Sequence, residues 1–138
     1  MKKSFTLIEI MIVIIILGLL ASMVVPNLIS QSTQAKQKLV CVQIKTIKDA
    51  LKTFKLQEGR YPTTQEGLMA LIKNPDPDKY KNYPKGGFLD SKKLPKDSWG
   101  NNFIYINNEG EIDIISLGAD GKEGGEGENQ DIRLYQCE

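Results

Sequence analysis

Phe5-Thr6-Leu7-Ile8-Glu9-Ile10-Met11-Ile12-Val13-Ile14-Ile15-Ile16-Leu17-Gly18-Leu19-Leu20-Ala21-Ser22-Met23-Val24-Val25 decides the fold. After Glu9 no charged residue appears until Lys36. An apolar run of this length is a candidate membrane helix. Lys2 and Lys3 precede it and favour a cytoplasmic N-terminus with the remainder exported. Three readings compete. A removable secretory signal would be followed by a loop-like break after its small residues, but the helical pattern continues beyond Ala21-Ser22-Met23. A buried soluble helix needs a larger core than 138 residues provide. A retained membrane anchor fits best. Glu9 is then the residue to explain, because a carboxylate at mid-membrane costs about 3 kcal/mol on insertion scales. Either it reaches water at the helix end, or it meets a cation from outside its own helix.

Beyond the apolar run, Val40, Ile44, Ile47, Leu51 and Phe54 recur at spacings of four and three. This is one stripe of an amphipathic helix. Lys45, Lys48, Lys52 and Lys55 lie on a different face. Gly59 is a stop signal and Pro62 prevents continuation. One helix is therefore expected from about Phe5 to about Gln57, roughly 80 Å long at 1.5 Å per residue. Gly18 and Pro26 weaken its first half, since Pro26 has no N–H to donate to the carbonyl of Ser22. Next comes a connecting region rich in Pro, Lys, Asp and Gly, with one short helical piece at Thr64–Ile72. Phe103–Ile106, a turn at Asn107-Asn108-Glu109-Gly110, and Glu111–Ser116 read as a β-hairpin. Ile132–Gln136 reads as a third strand. The fold class is α+β: a long N-terminal helix, apolar stalk then amphipathic half, packed on a small three-stranded antiparallel sheet.

Composition narrows the chemistry. Eighteen Lys and Arg against seventeen Asp and Glu give a net charge of +1, which argues against a nucleic-acid partner. With no His, there is no Ser-His-Asp or Cys-His machinery and no His-ligated metal. Two cysteines cannot form a Cys-only zinc site. The near-even charge conceals an asymmetry: residues 36–55 carry six Lys and one Asp, whereas residues 107–138 carry nine acids and two bases. Such a distribution suits self-docking or a cation-holding loop, and two solvated faces would show the same pattern.

Loop 117–131 concentrates the acids. Gly121, Gly124, Gly125 and Gly127 permit tight folding, and Asp120, Glu123, Glu126, Glu128 and Asp131 supply hard oxygens. Carboxylates with flexible backbone carbonyls suit calcium, and a flexible acidic loop would share the composition. Cys41 and Cys137 fit either a disulfide tying the long helix to the C-terminus in an oxidising space or buried free thiols. Trp99 reads as core.

Phe5-Thr6-Leu7-Ile8-Glu9 and the run after it resemble the class III signal of type IV pilins and type II secretion pseudopilins. Arg60-Tyr61-Pro62-Thr63-Thr64-Gln65-Glu66-Gly67-Leu68, Asp97-Ser98-Trp99-Gly100-Asn101, Ser116-Leu117-Gly118-Ala119-Asp120-Gly121, Gly124-Gly125 and Asp131-Ile132 resemble the major pseudopilin family of type II secretion, in the same order along nearly the whole chain. The resemblance implies a type IV pilin-like fold with a basic leader at 1–4, a stalk and membrane anchor at 5–35, and a periplasmic domain at 36–138. It implies a structural subunit of the periplasmic pseudopilus, not an enzyme, helping to export folded proteins. A prepilin peptidase would cleave between Ser4 and Phe5, where the family has Gly in place of Ser4, and would methylate Phe5. Glu9 would pair with the terminal ammonium of a neighbouring Phe5, and Gly18–Pro26 would stretch on assembly. Calcium would be held by the side chains of Asp120 and Asp131 and the carbonyls of Leu117 and Lys122, with Glu126, Glu128 and Asn129 as further contributors. The implied partners are copies of the same chain, other pseudopilins, the inner-membrane secretion platform and the membrane itself before assembly. Two alternatives stand beside this reading: a type IV pilus or minor pilin-like subunit, and a membrane-anchored periplasmic hydrolase using Asp76/Asp78 or the loop acids.

Overall fold

A computed structural model of the chain describes residues 4–138; nothing is described of residues 1–3 or of the side chains of 25–30, so the basic leader, apart from Ser4, and the Pro26 ring lie outside it. By its contacts the chain divides into two units, Met1–Ala35 and Lys36–Glu138.

In the first unit the chain enters helix α1, Leu7–Glu58. Thr6 caps it: its Oγ1 accepts the N–H of Glu9 at 3.2 Å. The helix runs without a break at Gly18 or Pro26. The apolar side chains from Leu7 to Val24 are all exposed, covered by none of the described residues.

In the second unit the expected stripe forms the core. Val40, Ile44, Ile47, Leu51 and Phe54 are completely buried. Gly59 ends the helix with φ +84, and its N–H reaches the carbonyl of Lys55 at 2.8 Å. Phe54 gathers the aromatic residues of the connecting region, with ring centroids 5.0 Å from Tyr80, 6.4 Å from Tyr83 and 5.0 Å from Phe88. Such pairs add about 0.5–1.5 kcal/mol each beyond the area they bury.

The sheet has the order β1 (Ile104–Asn108), β2 (Glu111–Ser116), β3 (Ile132–Arg133), antiparallel throughout. Its boundaries differ from those read in the sequence. Asn107 and Asn108 belong to the ladder, opposite Ile112 and Glu111, so the turn is only Glu109-Gly110, both at positive φ. Two residues at positive φ match the right-handed strand twist, and the Asn107 side chain caps the turn by accepting the N–H of Gly110 at 2.9 Å. The third strand stops after Arg133, and Leu134–Cys137 turns as a 3-10 helix. The Gln136 side chain accepts the N–H of Arg133 at 2.9 Å, and the 3-10 turn carries Cys137 to its bond with Cys41 on α1.

The expected helix at Thr64–Ile72 is only a 3-10 turn, Leu68–Leu71. Gly67, at φ +65, interrupts any longer helix there. Upstream, Glu66 accepts the N–H of Thr63 at 2.9 Å while Thr63 Oγ1 accepts the N–H of Glu66 at 3.1 Å. The rest of the connecting region is held by side chains rather than by ladders. The Tyr105 hydroxyl donates to the carbonyl of Pro62 at 2.7 Å, Tyr83 to Ala70 at 2.8 Å, and Tyr80 to the Glu66 carboxylate at 2.5 Å.

Candidate functional site

Two regions hold the candidate functional residues, one in each unit. In the first, Phe5 is 81% exposed and Glu9 lies one turn further along, with Ile10, Val13 and Ile14 lining a shallow apolar notch beside them. Among the described residues no ion pair reaches the Glu9 carboxylate. Gly18 has open space around the position of a Cβ, so the helix there is free of packing that would demand glycine.

In the second unit, loop 117–131 follows β2 and returns to β3. It folds back on itself. The N–H of Ala119 donates to the carbonyl of Glu128 at 2.9 Å. A Cβ on Gly118 would lie 2.8–2.9 Å from the backbone of residues 128–130, and one on Gly125 would lie 2.6 Å from the carbonyl oxygen of Asn129. Only glycine permits both approaches. Asp120 Oδ1 accepts the N–H of Lys122 at 3.1 Å, and Asp131 Oδ2 accepts that of Gly124 at 3.0 Å. Asp131 Oδ1 is different: it is shielded from water and has no hydrogen-bond partner. A buried carboxylate oxygen without a donor is costly and calls for an ion or a water.

The orphaned carboxylate oxygen of Asp131, on a closed loop that also carries Asp120, is hard-oxygen chemistry that fits a calcium ion. Among the described residues no three His, Cys, Asp or Glu side chains converge as a ready cluster, so backbone oxygens must supply much of such a shell. Glu128 is directed elsewhere. Its Oε1 accepts the indole N–H of Trp99 at 3.2 Å and lies 3.6 Å from Lys36 Nζ. Glu126 precedes the 3-10 turn Gly127–Asn129 with its side chain exposed, and Asn129 contributes the backbone against which Gly118 and Gly125 pack.

Sequence reasoning missed the support beneath this loop. Asp97 is 5% exposed, and its carboxylate accepts the Ser116 hydroxyl at 2.7 Å and the N–H groups of Trp99 and Asn101 at 3.1 and 2.8 Å. Asn101 in turn donates to the carbonyl of Gly118 at 3.1 Å. The Asp97–Asn101 turn thus fixes the end of β2 and the start of the loop. Its available signal was Asp97-Ser98-Trp99-Gly100-Asn101, which carried part of the family resemblance but, as local chemistry, shows only a turn and not what the Asp97 carboxylate holds. Asp76 Oδ1, nominated for hydrolysis, instead accepts the N–H groups of Asp78 and Lys79 at 3.1 and 3.3 Å.

A helix that begins wholly apolar, continues amphipathic and packs its second half on a three-stranded antiparallel sheet defines a type IV pilin-like subunit. Comparison with known proteins narrows the class. Residues 27–135 match the model for type II secretion system protein G, and residues 1–25 match the prokaryotic N-terminal methylation motif. Type II secretion system core protein G of Vibrio cholerae is 47% identical over 133 residues, covering 95% of this chain and 90% of that protein. The corresponding protein of Pseudomonas aeruginosa is 49% identical over 137 residues, covering 95% and 93%. A crystal structure of the major pseudopilin from the type 2 secretion system of enterohaemorrhagic Escherichia coli superposes with a TM-score of 0.66 at 31% identity, covering 80% of this chain and 96% of that one. The chain belongs to the protein G family of type II secretion systems, the major pseudopilins. It is a structural subunit of the pseudopilus filament rather than an enzyme, anchored by one apolar helix and carrying a periplasmic domain.

Proposed function

We propose that the subunit enters the filament by a charge exchange at its N-terminus and is stiffened by calcium at its acidic loop. Cleavage between Ser4 and Phe5 removes the basic leader, and methylation marks the new N-terminus at Phe5. The freed ammonium then gives Glu9 of a neighbouring copy a counter-ion, which relieves a charge costing about 3 kcal/mol in the bilayer. Gly18 and Pro26, the two poorest helix formers of the stalk, let α1 lengthen between them as subunits leave the membrane. The single observation that carries this reading is the helix from Leu7 to Val24, apolar but for Glu9 and Ser22 and covered by none of the described residues. Lipid covers it before assembly, and the stalks of other copies and of other pseudopilins cover it afterwards. The prepilin peptidase and the inner-membrane secretion platform act on it in between.

In the loop, Asp131 and Asp120 would hold calcium with the carbonyls of Leu117 and Lys122, and Glu126 and Asn129 stand close enough in sequence to complete the shell; Glu128 would first have to leave Trp99 and Lys36. When bound, the ion neutralises the loop carboxylates and joins its two ends. The intact mass of the chain from its native membrane, with N-terminal fragmentation, tests the entry step. A chain beginning at methylated Phe5 is the expected result. A chain still beginning at Met1 in assembled filaments would overturn it.

A further inference from the structure

The Cys41–Cys137 disulfide takes no part in anchoring or processing, yet it closes the short tail that begins at the loop's key carboxylate, six residues after Asp131. Asp131 is followed at once by β3, which has two residues and two ladder pairs, Arg133 with Ile115 and Ile132 with Ser116. After one 3-10 turn the chain reaches Cys137, bonded to Cys41 on α1 with the Cα atoms 5.2 Å apart. On the other side of Asp131, residues 120–130 are exposed throughout. The aspartate is steadied on its C-terminal side by this strand and the disulfide, while on its N-terminal side the loop is tied by the Glu128 contacts to Trp99, Lys36 and Ala119 and by the bond from Gln37 to the carbonyl of Gly127. A two-residue strand is too short to be stable alone. The other fastenings of this tail are the buried Ile132 and Leu134, an Arg133–Asp113 ion pair at 2.8 Å and a Lys48–Glu138 ion pair at the surface.

We propose that Cys41 and Cys137 are positioning residues for the loop's cation, so that the chain binds calcium tightly only once the disulfide has formed. The proposal rests on the calcium reading of loop 117–131. In the reduced chain the tail frays locally and Asp131 leaves its place beside Gly124. Oxidation removes a proton from each thiol, joins the two sulfurs, and passes two electrons to the disulfide of a thiol–disulfide oxidant, which departs as a dithiol. Thiols meet such oxidants after export, so the cation site is completed only on the periplasmic side. Linkage makes the effect reciprocal: bound calcium must protect the disulfide from reduction by the same factor by which oxidation tightens calcium binding.

The test uses the full chain in detergent micelles, with calcium alone as the probe. Calorimetric titration of the oxidised chain and of the Cys41→Ser/Cys137→Ser variant should show binding weaker by about tenfold or more in the variant, the scale seen when a group orienting a metal ligand is lost. Serine in a buried site can itself disturb folding, so the unaltered chain supplies the second measurement. Its reduction by dithiothreitol is brought to equilibrium with and without calcium, and far-ultraviolet circular dichroism follows the fold. Saturating calcium should shift the reduction equilibrium by the measured affinity ratio, while the reduced chain keeps its helix and sheet signal. Equal calcium affinity in the two redox states overturns the proposal. So does global unfolding on reduction, which would make the disulfide a general staple. An oxidised chain that binds no calcium overturns the calcium reading and the proposal with it.

Discussion

Replacing Asp97 by alanine should release the turn beneath the acidic loop. The substitution removes the acceptor for the Ser116 hydroxyl and for the N–H groups of Trp99 and Asn101, at 2.7, 3.1 and 2.8 Å. A buried donor left without a partner costs about 1–3 kcal/mol. Ser116 is completely buried, whereas the two N–H groups are partly shielded. Assigning about 2 kcal/mol to the hydroxyl and about 0.5–1 to each N–H gives a loss of roughly 3–4 kcal/mol. Domains of this size are stable by about 5–15 kcal/mol, so the effect is large, on the order of 15–25 °C in Tm. The assay is built into the chain: Trp99 is its only tryptophan and its own N–H is one of the bonds lost. Fluorescence-detected urea unfolding of the full chain in detergent should therefore move to lower urea with an unchanged slope. Asp97→Asn keeps one acceptor oxygen and should lose about half as much. An alanine variant within about 0.5 kcal/mol of the parent would refute the view that this carboxylate holds the turn.

Three further outcomes are expected. Asp131→Asn should abolish calcium-dependent stabilisation, about 2.7 kcal/mol at a calcium concentration one hundred times Kd, and leave the stability in chelator unchanged; urea midpoints with calcium and with chelator decide it. Gly118→Ala, at φ +77 with its Cβ against the backbone of residues 128–130, should cost at least about 2 kcal/mol, whereas Gly124→Ala, at φ +84 in open space, should cost only about 1, both read from the same titration. Stability should also fall at both ends of the pH scale through one hydrogen bond. Burial pushes the Glu66 carboxyl up, but the Thr63 N–H, the Tyr80 hydroxyl and Lys79 together hold it below its ordinary 4.5; a lowered folded value means stabilisation present above pH 4.5 and lost as pH falls below it. Burial first, and then the bond to Glu66, push the Tyr80 hydroxyl well above its ordinary 10, so its stabilisation is present below pH 10 and lost as pH rises beyond it. A pH series of unfolding midpoints should show both arms, and Tyr80→Phe should flatten them; unchanged arms would count against this pair.

The parts of the molecule legible in the sequence are those governed by a repeating pattern. The stripe from Val40 to Phe54 is a 3.6-residue period, and every member of it is buried. The hairpin shows the alternation and turn residues of its type. Patterns failed where a distant contact overrides local preference. Ile132–Gln136 has the composition of a strand, but its second half turns as a 3-10 helix that brings Cys137 to Cys41 on α1. Thr64–Ile72 has helical contacts at Leu68 and Leu71, but Gly67 at positive φ allows only one turn. Tyr80 stands in the Pro-, Asp- and Lys-rich connecting region, where no local pattern marks a core residue, yet it is 1% exposed, with Phe54 against its ring and Glu66 accepting its hydroxyl. The acidic loop was visible as composition; that Asp131 rather than Glu128 keeps an oxygen free depends on Trp99 and Lys36, which no local pattern links to it.

The bond between Cys41 and Cys137 also determines how the subunit carries a load. A filament that pushes or is pulled puts tension on its stalks. The sulfur–sulfur link joins residues 96 positions apart, so a force applied between the stalk and the last residue passes from α1 straight into the tail. Everything between the two cysteines hangs on that path as a closed ring and bears none of the tension. Without the link, the same stretch of chain could pay out roughly 330 Å when drawn taut. With it, the globular part cannot be unravelled from its ends, however hard the fibre is worked.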